Sequence, residues 1–344
     1  MLKMIMWCVF RFLPVVTGVV FGLMGSPSLA DDPPTRLHQY LHKIDYVPAK
    51  MGALLLGQPL VHVKINGTAD ATFLVDTGVS DTTISTDLAK RLGLRLQPAT
   101  NDAGMPIQWK GKQGVMTRVA LLEIGSIKAN NSLLLVMDDK DLRVIFSSAY
   151  EGIIGANLLQ NCAFLLDAHQ HTLGFCLPGA LSSEQLKQIG FPQPYAVPLT
   201  TIPENQWWVQ ATFSDGSNSG SEGLLLDTGS DSTSLSEQLA QKVGFKVTGQ
   251  ENQKDVFGKS IVGTGQVDAV HLGDLTLLNF PLSIQPSSKK TSKAIPPTLG
   301  MNVLSGYRVL MDFPAKKMYL QPNTAAVPAI TIGPTPAAPA PPGK

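Results

Sequence analysis

Asp76 and Asp227 stand in the same setting, Asp76-Thr77-Gly78 and Asp227-Thr228-Gly229, each directly after an apolar run, Phe73-Leu74-Val75 and Leu224-Leu225-Leu226. An apolar run that ends at a polar residue and a glycine reads as a strand running out into a turn. A carboxylate at such a strand end, duplicated within one chain, gives two acids that can be brought face to face. Two like charges a few ångströms apart do not both ionise, so the pair holds one proton between its members. The ionised member can then take a proton from water while the protonated one donates to a carbonyl or a leaving amine. That is sufficient for amide hydrolysis without a metal or a covalent nucleophile, and the resulting titration belongs to the pair.

The neighbouring residue types fit this chemistry. Gly78 and Gly229 let the backbone turn tightly and come close to a substrate. The hydroxyls of Thr77 and Thr228 can tie the two loops together across a pseudo-twofold axis. Ile153-Ile154-Gly155 is apolar enough to lie buried beneath the Asp76 loop, with the glycine permitting close approach.

The triplets open a longer repeat. Residues 76–96 and 227–247 also share Thr82/Thr233, Ser85/Ser236, Leu88/Leu239, Ala89/Ala240 and Gly93/Gly244. Further on, the segments at 121–125 and 269–273, 153–159 and 298–304, and 164–167 and 309–312 correspond. A repeat this long is one folding unit used twice, since solenoid arrays need at least three units of shorter period. Short helices are expected at Thr86–Leu92 and Glu237–Val243, with Ser85 and Ser236 as caps and Gly93 and Gly244 as stops. Thr35–Ile44 and Ser182–Ile189 read as further short helices. Leu60–Ile65, ending at Asn66-Gly67, and Gln206–Phe213 alternate as half-buried strands. The remainder reads as short strands and turns, so the fold class is all-β.

The chain of 344 residues is long enough for two domains, and its 31 glycines and 25 prolines suit turn-linked strands. A net charge of +1, with no basic run, argues against nucleic acid as a partner. Residues 1–30 read as a signal peptide: Lys3 and Arg11, the apolar stretch Phe12–Met24, and Ser28-Leu29-Ala30 before Asp31-Asp32. Cleavage after Ala30 would place the protein in the periplasm or outside the cell. The alternative is an uncleaved membrane anchor, for which the stretch is short against the ~20 residues of a span. Cys162 and Cys176 remain after cleavage, bracketing a strand-turn-strand around His169. They are candidates for a disulfide in an oxidising compartment, or for two buried thiols. His169 and His171 lack a third ligand and read as the polar turn of that hairpin, so neither metal nor cofactor is expected.

Ile153-Ile154-Gly155-Ala156-Asn157-Leu158-Leu159 is similar to the I-I-G-x-N-L-L of retroviral proteases, and Asp76 to Thr82 resembles their D-T-G-A-D-D-T. The chain therefore resembles the retropepsin-like aspartic proteases, with both halves in one polypeptide, over residues 59–177 and 196–321. The resemblance implies two pseudo-symmetric β-barrel lobes with a cleft between them. It also implies catalytic Asp76 and Asp227, and peptides or unfolded proteins as substrates, as in secreted bacterial proteins of this type. Two complete halves on one linker favour pairing within the chain, and hence a monomer, over pairing of each half with another chain. A peptide-binding or regulatory protein with weak catalysis on the same fold is the alternative. Residues 31–58 form an N-terminal arm, 178–195 a linker and 322–344 a Pro/Ala-rich disordered tail. Trp109 and Phe257 each lie sixteen residues before the matched glycines Gly125 and Gly273. They mark a candidate flap from each lobe, or aromatics that only pack within their hairpins. In pepsin-like relatives a hydroxyl follows the triplet. Here Ser230 fits that role towards Asp227, whereas Val79 cannot serve Asp76. This predicts a lopsided pair, with Asp227 ionised and Asp76 carrying the shared proton.

Overall fold

The computed structural model describes residues 42–51, 54–100, 105–109, 112–142, 149–176, 181–201, 206–255, 258–285 and 296–323. The chain begins with β1 (His42–Asp45), β2 (Val47–Met51), β3 (Leu54–Ile65), β4 (Ala69–Val75) and β5 (Thr83–Ser85). After helix α1 (Thr86–Arg91) come β6 (Leu96–Pro98), β7 (Gln108–Trp109), β8 (Lys112–Gln113), β9 (Val115–Ile124) and β10 (Ile127–Met137). The first lobe closes with α2 (Asp139–Leu142), β11 (Gly152–Ile154), α3 (Ala156–Leu159), β12 (Ala163–Asp167) and β13 (Thr172–Cys176). Within it β3, β4, β11, β5, β10 and β9 pair in that order, and β9 pairs back onto β3. A closed six-stranded barrel has no free edges to protect.

The linker helix α4 (Ser183–Gln188) leads to β14 (Tyr195–Thr201), β15 (Trp207–Asp215), β16 (Asn218–Leu226) and β17 (Ser234–Ser236). Helix α5 (Glu237–Val243) follows, then β18 (Val247–Asp255), β19 (Gly258–Leu272), β20 (Leu275–Gln285), β21 (Thr298–Leu299), α6 (Met301–Leu304), β22 (Tyr307–Asp312) and β23 (Lys317–Pro322). The second lobe repeats the first with one break. Where Gly152 pairs with Ile84 in lobe one, the equivalent position holds Pro297, which has no N–H to give to a ladder. Side chains bridge the gap instead: Thr298 N donates to Ser234 Oγ over 3.0 Å, and the two hydroxyls lie 3.2 Å apart.

Local rules set the helices as expected. Ser85 Oγ accepts from Leu88 N and Ser236 Oγ from Leu239 N, and α4 carries a full capping box between Ser182 and Gln185. Gly93 and Gly244 take the left-handed conformation that ends α1 and α5. The lobes meet in a sheet ordered β1-β13-β12-β22-β23-β14. At its centre β12 and β22 pair antiparallel, with Leu165 opposite Leu310. Phe164, Leu166, Val309 and Met311 join the cores of the two lobes, while Leu186, Ile189 and Phe191 of the linker cover Leu165 and Leu310 on the other face.

One expectation is corrected by the N-terminal region. His42–Asp45 is a strand, so the helix read over Thr35–Ile44 does not hold for its last three residues; the rest of it lies outside the described residues. β1 pairs with β13, Ile44 opposite Leu173, and the buried Tyr46 joins the core. A ten-residue helix is marginal in isolation, and an open sheet edge with a core site beside it prevails. Residues 42–51 are thus paired onto the fold, β1 on β13 and β2 on β3.

Candidate active site

Each triplet leaves a strand at the same structural crossing. β4 runs parallel to β11, and Asp76 N continues the ladder to Ile154 O at 3.0 Å. β16 runs parallel to β21, and Asp227 N reaches Leu299 O at 3.1 Å. The loop after each Asp then folds back over the following helix. Ala156 N donates to Val79 O and Met301 N to Ser230 O. Thr82 Oγ1 donates to Asn157 Oδ1 (2.7 Å) and accepts from Gly155 N (3.1 Å); Thr233, Asn302 and Gly300 repeat this arrangement at 2.7 and 3.1 Å. The role of Asn157 and Asn302 was not assigned from sequence, although their matched places after Gly155 and Gly300 carried the signal. At the glycines there is no room for a side chain: a Cβ on Gly155 would lie 2.6 Å from the Asp81 backbone, and one on Gly300 would lie 2.3 Å from Ser232 O.

The threonines lock the two loops together. Thr77 Oγ1 donates to Leu226 O (2.8 Å) and accepts from Thr228 N (3.1 Å), while Thr228 Oγ1 donates to Val75 O (2.9 Å) and accepts from Thr77 N (3.1 Å). Both threonines are fully buried, so each bond is made where an unpaired polar group costs ~1–3 kcal/mol.

This lock places the carboxylates together. A Cβ on Gly78 would lie 2.5 Å from Asp227 Cγ, and one on Gly229 would lie 2.3 Å from Asp76 Oδ2. Each acid thus sits against the glycine of the other triplet, and the two carboxyls share a hydrogen bond. Asp76 Oδ1 accepts from Gly78 N (2.8 Å) and Asp227 Oδ1 from Gly229 N (2.9 Å). Burial raises the Asp76 carboxyl well above the ordinary range, and the adjacent Asp227 charge raises it further; the N–H groups of Gly78 and Val79 offset part of this. Burial also raises Asp227, but the hydrogen bond from Asp76 and the N–H groups of Gly229 and Ser230 pull it back. Burial thus raises both carboxyls, and their titration belongs to the pair.

The residue that follows the second triplet does not play the part expected of it. Ser230 Oγ donates to Ser232 O at 3.0 Å, and it is the Ser230 backbone N–H that reaches Asp227 Oδ1, also at 3.0 Å. The backbone N–H of Val79 likewise favours charge on Asp76. The hydroxyl is engaged by the turn, so it does not make the pair lopsided. Ser230→Ala should leave the acid limb of a pH–rate profile in place, and a shift of more than about half a pH unit would show that the hydroxyl serves the carboxylate.

Asp81, in the loop after the first triplet, is a further buried acid. It is 6% exposed, and burial pushes its carboxyl up to about 7. Its equivalent in the second lobe is Ser232. The folded pKa lies above the unfolded one, so ionised Asp81 weakens the fold as pH rises from ~4 through 7 and has no effect below ~4. Asp81→Asn should therefore raise the melting temperature by several degrees at pH ~8 and leave it unchanged at pH ~3. Thermal unfolding at the two pH values checks this.

The remaining candidates concern the hairpins and the cysteines. Lobe one has the two-residue hairpin β7–β8, with Trp109 opposite Lys112 on the backbone. Lobe two has the long hairpin β18–β19, with Asp255 opposite Gly258. The Trp109 side chain and the whole of Phe257 lie outside the described residues. The register of β12 and β13 sets Ala163, not Cys162, opposite Cys176. Cys162 is buried with Sγ 3.2 Å from Leu159 O, and the Cys176 side chain lies outside the described residues. His171 turns its ring towards Tyr46, with centroids 5.5 Å apart. Among the described residues no three His, Cys, Asp or Glu side chains are placed to share a metal ion.

The family model described as aspartyl protease matches twice, over residues 61–158 and 209–303, and so takes in both triplets and more than half of the chain. No curated protein matches the sequence. Among solved structures, the crystal structure of the aspartic proteinase from Irpex lacteus is similar at 14% identity and a TM-score of 0.48, covering 83% of this chain and 98% of that one. With a family model matched once in each lobe, on the strands that carry Asp76 and Asp227, the chain belongs to the aspartyl protease family.

Proposed function

We propose that the protein is an exported, monomeric aspartic endopeptidase that cleaves extended peptides or unfolded proteins in the cleft between its lobes. The observation that carries this reading is the hydrogen-bonded pair of buried carboxyls, each held by backbone N–H groups and set against the glycine of the opposite loop. Asp227 takes a proton from water as the water oxygen bonds to the scissile carbonyl carbon, and Asp76 gives its proton to the carbonyl oxygen. As the C–N bond breaks, Asp227 passes its proton to the departing amine and Asp76 recovers one from the tetrahedral diol. One water is consumed and both acids return to their starting states. The threonine lock serves by fixing the separation of two groups that react as one unit.

The test is to incubate the purified protein with a peptide library from pH ~3 to pH ~7, with and without a statine-containing inhibitor, and to read products by mass spectrometry. A statine hydroxyl would take the place of the attacking water. Defined cleavage products that vanish with the inhibitor are expected. Their absence across the range would overturn the proposal.

A further inference from the structure

Gln206, one residue before β15, reaches from the second lobe into the catalytic loop of the first. Its Nε2 donates to Gly78 O over 3.0 Å. The same glycine gives its own N–H to Asp76 Oδ1 over 2.8 Å. A hydrogen bond to its carbonyl fixes how the glycine is turned, and so how its N–H meets the carboxylate. We propose that Gln206 is a positioning residue of the acid pair: by holding the Gly78 carbonyl, it sets how well the first lobe supports charge on Asp76, and hence how the two acids divide their proton.

The internal repeat supports a built feature rather than a chance contact. Leu60 lies opposite Leu74 and Trp208 opposite Leu225, each pairing two residues before a catalytic Asp. Gln58 and Gln206 stand two residues before Leu60 and Trp208, so both lobes carry glutamine at this place, and Gln58 is fully buried. The other titratable groups around the pair are Asp231, whose charge bears on Asp227, Glu251 on β18, which feels Asp231, and Asp81 in the first loop. None of them belongs to the glycine that Gln206 holds.

The inference concerns the same two acids as the proposed function, but its test needs no turnover. Carboxyl-carbon NMR of the aspartate-labelled protein, with Asp76→Asn and Asp227→Asn to assign signals, reads both steps of the pair's titration directly. As the acid of the proposed mechanism, Asp76 keeps its proton until the second step, so weaker support for its charge raises the upper step and leaves the lower one in place. Gln206→Met keeps the shape and removes the donor, and it should raise the upper step by about half a pH unit or more. Gln206→Glu can donate only while protonated and adds a negative charge once ionised, so it should raise that step further. An upper step within ~0.2 unit of wild type in Gln206→Met, or movement of the lower step alone, would overturn the proposal. A lowered melting temperature with both steps unmoved would assign Gln206 to packing. If Gln206→Met does not fold, Gln206→Glu decides in the same way. Absence of hydrolysis by the wild-type protein would count against the proposed function and would leave this titration fully readable.

Discussion

Asp76→Asn and Asp227→Asn should each lower peptide hydrolysis by roughly 10⁴-fold or more while both proteins stay folded. Asn keeps the shape of Asp and can still accept from Gly78 N or Gly229 N, so the loops keep their anchors. What it cannot do is exchange the proton. The acids act as one unit, so the double variant should be no slower than either single one. Burying one charge fewer also removes a cost, and each variant should unfold at or above the wild-type temperature near neutral pH. Steady-state rates and thermal unfolding measured on the same preparations check both halves of this expectation. Substantial activity in either single variant would remove the pair from the mechanism.

Gly78→Ala should be nearly as damaging although it touches no reacting group. Its Cβ would arrive 2.5 Å from Asp227 Cγ, well inside any van der Waals contact. The glycine has no positive φ, so alanine meets no backbone penalty and the whole effect comes from displacing the opposite carboxyl. A shift on the order of 1 Å in a reacting group costs about 10²-fold, so a loss of at least that size in kcat is expected. Gly229→Ala should do the same through Asp76, whose Oδ2 would lie 2.3 Å away. Gly67→Ala is the control: it has no atom within 4 Å of its Cβ but a φ of +70°, so it should cost stability and spare the rate. If Gly78→Ala kept its kcat, the tight approach of each acid to the opposite glycine would have no part in catalysis.

The parts of this site that chemistry restricts to one residue type could be read from the sequence. Asp76, Asp227, their threonines and their glycines have few substitutes, and the repeat fixed their spacing twice over. The helix caps Ser85 and Ser236 were legible for the same reason, since a short hydroxyl before a helix has one strongly preferred use. Ser230 was not legible. A serine hydroxyl chooses among acceptors by rotamer, and the turn offers Ser232 O at a distance as good as any carboxylate could. β1 was hidden because its partner β13 lies more than a hundred residues away, beyond the reach of any local pattern. Gln206 was passed over as the start of an alternating strand, because a long amide side chain discloses its acceptor only once two distant segments are brought together.

The seam at Pro297 shows what joining two halves in one polypeptide permits. Had the protein been a pair of identical chains, a proline at this place would occur twice. In lobe one it would replace Gly152, where even a Cβ would lie 2.4 Å from the Phe73 ring and 2.5 Å from Thr83 O. One copy would then gain a softer barrel only by wrecking the other. Fusion removes that constraint: the first lobe keeps its fully bonded wall while the second trades two backbone rungs for the Ser234–Thr298 hydroxyl contact. The two sides of the cleft are therefore free to differ in stiffness, so the asymmetry of the molecule is inherited along the chain rather than imposed by whatever binds between its halves.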